Sequence, residues 1–219
     1  MPILRALCLS FGLSAPALAC DLALALAVDV SGSVDTREFN VQMRGLAAGL
    51  RDPVVSEALV RGQVHLMLIQ WTGASRQRVT IPWTAITSFD DVETFARRVE
   101  EDMRVWRNYS TAIGEALAVT LEKFDDVPHC ARHLIDLSGD GASNEGVKPL
   151  EQHGALKAAK ITVNAIAIEE SEAHLTDYFF ENVIVGEGAF VVTANSFDEY
   201  PEKIRRKLLR EVTRQTARN

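Results

Sequence analysis

The sequence has no cluster of positive charge. Its 23 Lys and Arg are outnumbered by 30 Asp and Glu and lie scattered along the chain. A nucleic-acid surface needs a basic stripe to meet phosphates, so DNA and RNA are not expected partners. Cysteine is scarce: Cys8, Cys20 and Cys130 among 219 residues, which excludes a disulfide-dense scaffold. The five histidines (His65, His129, His133, His153, His174) show no H-E-x-x-H and no Cys/His ligand spacing. No zinc site is therefore expected, and His65, inside an apolar run, reads as a core histidine. No apolar stretch is long enough to span a bilayer, and repeats, low-complexity segments and long linkers are absent. What remains is a chain with 47% hydrophobic residues, enough at this length for one well-buried domain rather than two.

The first nineteen residues read as a secretory leader: one cation (Arg5), an apolar stretch from Ala6 to Ala15, then Ala17-Leu18-Ala19 as a small-x-small cleavage site. An exported domain over 20–219 is expected to follow. Cys20 would be its first residue. Ala-Leu-Ala-Cys loosely resembles a bacterial lipobox, but the usual large aliphatic residue three positions before the cysteine is missing. Lipidation and a disulfide are both open for Cys20 at this point.

Strands and helices alternate along the chain. Asp21 to Val30 (DLALALAVDV) is an apolar run of strand length, and Val64 to Trp71 (VHLMLIQW) is a second. Arg78 to Pro82 alternates and carries a proline, as an edge strand does. Arg132 to Leu137, Ile161 to Ile168 and Ala189 to Thr193 complete the strands. Asp35 and Glu38 have capping-box spacing before a helix through Phe39, Met43, Leu46 and Leu50, which Asp52-Pro53 stops. Further helices are expected over Ser88–Met103, Thr111–Phe124, Lys148–Lys160 and Glu172–Asn182. A last one, capped by Ser196 with Glu199, runs through Ile204, Leu208 and Val212, and its RKLLR stretch reads as a solvated face. The class is α/β: one doubly wound, mostly parallel six-stranded sheet with one antiparallel edge strand and helices on both faces.

In such sheets ligands bind beyond the carboxyl ends of the strands, where the strand order reverses. Three polar segments should meet there. Asp29-Val-Ser31-Gly-Ser33 follows the first strand, Asn108-Tyr-Ser-Thr111 opens a helix, and Ser138-Gly-Asp140-Gly follows the fourth strand. Taken singly, each is also what an ordinary turn or helix cap looks like. Taken together they resemble the von Willebrand factor A family and its metal-ion-dependent adhesion site, D-x-S-x-S with a separate Thr and a separate Asp. The chain is also similar to a family of exported bacterial proteins of this fold with no assigned activity.

The resemblance implies Mg²⁺ or Mn²⁺ held by Ser31 and Ser33 directly and by Thr111 directly or through water. Asp29 and Asp140 would hold waters and hydroxyls behind them. Mg²⁺ takes oxygen ligands and is rarely caged fully by protein. Neutral hydroxyls would leave its charge available to an Asp or Glu carboxylate from a protein partner. Gly32, Gly139 and Gly141 are expected to let these loops turn tightly. Trp71, Trp106 and Tyr109 are candidates for a partner-contact rim, with core packing the alternative for each. The surrounding loops, Trp71 to Gln77, Arg104 to Ser110 and Ala142 to Val147, would set selectivity. The family's sheet also places the first strand beside the one before Ser-Gly-Asp-Gly. Cys20, nine residues before Asp29, and Cys130, ten before Asp140, would then share one end of neighbouring strands and form a disulfide.

An enzyme is not expected. A Mg²⁺-dependent phosphatase of the haloacid-dehalogenase type is the alternative, because it too places an Asp after its first strand and a late Gly-Asp. It needs a second Asp where this chain has Ser31, and the lysine it needs could only be Lys123, in a poor context. A serine hydrolase lacks its G-x-S-x-G here.

Overall fold

The computed structural model describes residues 20–213; the expected leader over 1–19, with Cys8, lies outside them. The first strand, β1 (Ala23–Asp29), is buried along its whole length. Its Leu/Ala alternation sorts the two faces of the sheet. Leu24, Leu26 and Val28 pack with α1 (Thr36–Leu50), α2 (Pro53–Arg61), α3 (Phe89–Glu101) and α7 (Tyr200–Thr213). Ala23, Ala25 and Ala27 belong to the opposite core, with α4 (Ile113–Lys123), α5 (His153–Ala158) and α6 (Leu175–Asn182). Successive side chains of a strand point to opposite faces, so one apolar run serves two helical layers.

The remaining strands are β2 (His65–Trp71), β3 (Gln77–Ala85), β4 (His133–Gly139), β5 (Ile161–Ile168) and β6 (Val191–Ala194). They stand in the order β3-β2-β1-β4-β5-β6. Among the strands of the described residues only β3 runs antiparallel, on the β2 edge, with register shifts along the pair. This is the architecture read from the sequence. Order reverses between β1 and β4, so the crevice opens above their carboxyl ends.

Several local expectations need correction. Asp52-Pro53 ends α1 but also starts α2: the Asp52 carboxylate accepts from the amides of Val54 and Val55, and Pro53 sits at the first helical position. The helix expected over 148–160 is a 3₁₀ turn at Pro149–Gln152 followed by the short α5. Ser196 caps nothing with its side chain, and Glu199 instead accepts from the amide of Asn195. The RKLLR stretch is not a solvated face. Lys207 is 1% exposed, held by Asp136 of β4 at 2.5 Å and Glu211 at 2.7 Å.

At the amino ends of the strands, Cys20 and Cys130 are disulfide-bonded across 110 residues, with Cα atoms 4.5 Å apart. The parallel pairing of β1 with β4 brings them together, as the family resemblance implied. Cys20 thus has no free thiol to carry a lipid. In the loop-entropy view a closure of this length contributes about 4–5 kcal/mol.

Candidate metal centre

Three loops converge above β1 and β4. The first begins at Asp29, whose side chain is fully buried and whose Oδ1 accepts the amide of Ser31 at 2.7 Å. That bond folds the chain back so that the hydroxyls of Ser31 and Ser33 lie 3.1 Å apart. Ser33 donates to Asp140 Oδ1 at 2.6 Å, joining the first loop to the loop after β4. Asp29, Ser31, Ser33 and Asp140 therefore form one linked group.

Thr111 is buried on the third loop. Its amide donates to Asn144 Oδ1, and its carbonyl accepts from the amides of Asn144 and Glu145. Thr111 does not cap α4. The cap residue is Ala112, and the amide of Ile113 donates to the Ser143 hydroxyl at 3.1 Å. The Thr111 hydroxyl lies beside the β4 loop, 3.9 Å from where a Cβ on Gly141 would stand.

Neither Gly32 nor Gly139 has a positive φ, so turn conformation does not explain them. Space does. A Cβ at Gly32 would lie 3.2 Å from the Tyr109 carbonyl, which accepts the Gly32 amide. One at Gly139 would lie 3.1 Å from Asp29 Oδ2.

The electrostatics are unbalanced. Asp29 Oδ2 and Asp140 Oδ2 are both buried without a hydrogen-bond partner. Burial, then the charge of Asp140, pushes the Asp29 carboxyl up to about 8. Burial raises Asp140 too, and the carboxylates of Glu38 and Glu172 add to it. Arg104 is close, but its guanidinium donates to the carbonyls of Val30 and Ser31, not to the carboxylates. Buried carboxylates without a cation are costly, and a divalent ion is the group that would satisfy both. The donor set suits a small hard cation. Neighbouring vertices of an octahedron with Mg²⁺–O bonds lie about 2.9 Å apart, close to the Ser31–Ser33 spacing.

Sequence reasoning missed the supports. Gln42 donates to the Asp29 carbonyl and accepts from Ser138, locking β1 to β4 under the site. Gln70 grips Asp102, Met103 and Val105 and so fixes the segment that carries Arg104. Glu172 accepts the Ala142 amide. Only Glu38 gave a signal, through its capping box, which is formed with Asp35. Of the aromatic rim candidates, Trp71 is 0% exposed and serves the core, and Trp106 packs against the other core. A partner cannot touch Trp71. Tyr109 is exposed, with the Arg76 guanidinium stacked 3.8 Å above its ring.

A family model described as a protein of unknown function (DUF1194) matches residues 19–216. The chain belongs to that family. No curated protein matches this DUF1194 member by sequence. Among solved structures it is similar to a von Willebrand factor type A protein from Catenulispora acidiphila, at 16% identity and TM-score 0.63, over 88% of this chain and 43% of that one. Proximal thread matrix protein 1 of the mussel byssus, solved with zinc in its metal-ion-dependent adhesion site, gives 24% identity and TM-score 0.61, over 89% and 48%. The von Willebrand factor domain of the type V pilus tip protein Mfa5 from Porphyromonas gingivalis gives 9% and 0.61, over 88% and 95%. The chain thus spans less than half of the first two relatives, and the likeness establishes a von Willebrand factor A-like fold for this family member.

Proposed function

We propose that this domain is a non-enzymatic, divalent-metal-dependent protein-binding module of the adhesion type. Ser31 and Ser33 ligate Mg²⁺ or Mn²⁺ directly, Thr111 does so directly or through water, and Asp29 and Asp140 orient hydroxyls and waters around the ion. A partner supplies an Asp or Glu carboxylate at the open position. The observation that carries this reading is the pair of buried, unpartnered carboxylate oxygens beside two hydroxyls at octahedral spacing. Ser33 is exposed, so an ion bound there faces the solvent side from which a partner approaches.

The solved relatives include a pilus tip protein and a pilus adhesin, which favours adhesion over catalysis. Among the described residues no helix is long and apolar enough to cross a membrane. The disulfide suits an oxidising compartment. We therefore place the domain in the periplasm or outside the cell, with residues 1–19 as a cleaved leader. Tyr109 lies on a loop that touches the site, through the Gly32 amide, and its exposed ring is available to a partner. The test is capture of envelope proteins on the immobilised chain. Binding should disappear in chelator and in Ser31→Ala/Ser33→Ala. Capture indifferent to both would overturn the proposal.

A further inference from the structure

At the other end of the same strands stands a second group of metal-competent side chains. Cys20 precedes β1, His65 is the first residue of β2, and His129 and Cys130 precede β4. These three strands are neighbours in the order β2-β1-β4, so all four side chains meet at one end of the sheet. One donor atom from each lies within 4.8 Å of all the others. The two imidazoles stand edge to face, ring centroids 5.1 Å apart. His65 Nδ1 is buried without a hydrogen-bond partner.

We propose that, when the disulfide is reduced, Cys20, His65, His129 and Cys130 form a tetrahedral Cys₂His₂ site for Zn²⁺. Two sulfurs and two imidazole nitrogens are a common structural ligand set for this ion. Zn²⁺ bonds of about 2.3 Å to sulfur and 2.0–2.1 Å to nitrogen put neighbouring ligands roughly 3.3–3.8 Å apart. The present cluster lies inside the range from which that geometry is reached by side-chain rotation. The sulfurs must part by roughly 2 Å once their bond breaks.

Charge balance explains why the two states can exchange. Both cysteines are buried, at 2% and 4% exposure, where an uncompensated thiolate is unfavourable. A disulfide is neutral, and so is Zn²⁺ with two thiolates and two neutral imidazoles. The step needs a two-electron reductant: a dithiol, whose two thiols become a disulfide, or a phosphine, which takes oxygen from water to become its oxide. In either case Cys20 and Cys130 receive two electrons and two protons. Zn²⁺ binding then releases two protons as the thiols become thiolates. Either lock ties the start of β1 to the start of β4. The zinc lock also recruits the start of β2. It forms wherever the chain meets Zn²⁺ before oxidation or after reduction, and it is independent of the adhesion-type site.

The test uses the full chain, reduced with a phosphine and freed of metal, with Co²⁺ as the probe. Tetrahedral thiolate ligation gives Co²⁺ intense visible bands and a sulfur-to-metal charge-transfer band, which an oxygen site does not. The reduced chain should develop this spectrum at one Co²⁺ per chain, and Zn²⁺ should bleach it. The oxidised chain should show none. His65→Ala/His129→Ala keeps both cysteines and should weaken binding by more than the roughly 10–100-fold that outer-shell changes cost. Absence of the charge-transfer band, or equal affinity in the double variant, would overturn the proposal. If reduction unfolds the chain, circular dichroism in the same titration decides: refolding on Zn²⁺ supports the site, and continued unfolding refutes it.

Discussion

Strand β4 and the residue that follows it supply two buried carboxylates, Asp136 and Asp140, four residues apart, and the fold treats them differently. Asp136 sits mid-strand with Lys207 of α7, whose ammonium also holds Glu211, while Asn164 donates to Glu211 at 2.8 Å. All three charged side chains there are buried, at 0–2% exposure. Asp140 sits at the strand's end facing Asp29, and among the described residues no cationic side chain donates to either. Both pairs are like charges in a poorly solvated place: burial and Asp136 push Glu211 up to about 8, much as burial and Asp140 do Asp29. The lower pair has its cation built into the chain and is sealed. The upper pair has hydroxyls, an exposed serine and no lysine. That difference is what turns one cluster into scaffold and the other into a candidate receptor for an ion from solution.

The largest expected effect breaks the lower pair. Lys207→Met leaves Asp136 and Glu211 facing each other without a cation, and stability should fall by about 3–5 kcal/mol. Denaturant titration measures it, and added Mg²⁺ should not restore the loss, because the ion site proposed above lies at the other pair. Full rescue by Mg²⁺ would erase the distinction between the two.

Next comes the response of the upper pair to cation and pH. Asp29 has an ordinary value of 3.8 and a folded value of about 8. Between them the folded chain holds a proton that the unfolded chain has released, so the ion-free fold loses stability as pH rises through this window. An ion at the site takes the place of that proton. Mg²⁺ at one hundred times its Kd should therefore stabilise by about 2.7 kcal/mol at pH 8 and by less at pH 5. Thermal unfolding at the two pH values reads the difference. An increment that shrinks with rising pH contradicts the account.

The smallest effect on stability, and the sharpest on binding, is expected from Asp29→Asn. The amide keeps an acceptor for the Ser31 amide and removes one of two like charges. Ion-free stability at pH 8 should change by no more than about 1 kcal/mol, while the stabilisation by Mg²⁺ disappears.

The upper site was legible in the sequence because its parts are local: each loop directly follows or precedes an element that its own residues define. The sheet was legible for the same reason, since runs such as LALALAV leave few alternatives once helices alternate with strands. What could not be read depends on distant partners. Lys207 sits in a charged stretch that looks solvated, and only the approach of α7 to β4 buries it against Asp136. Asp52-Pro53 marks a stop and a start equally well, and packing of Val55 and Leu59 decides in favour of a second helix. Thr111 was compatible with a cap, but Ser143, thirty residues on, supplies the partner for the Ile113 amide. His65 and His129 carry no common spacing, so strand order alone assembles them with the two cysteines.

The most direct test of the central claim, that the Asp29–Asp140 end of the sheet is built for a divalent ion, is calorimetric titration of the oxidised chain with Mn²⁺. The account predicts one ion per chain, with binding lost in Ser31→Ala/Ser33→Ala and retained in His65→Ala/His129→Ala. Binding that survives loss of the two serine hydroxyls, or no binding by the parent chain, would contradict it.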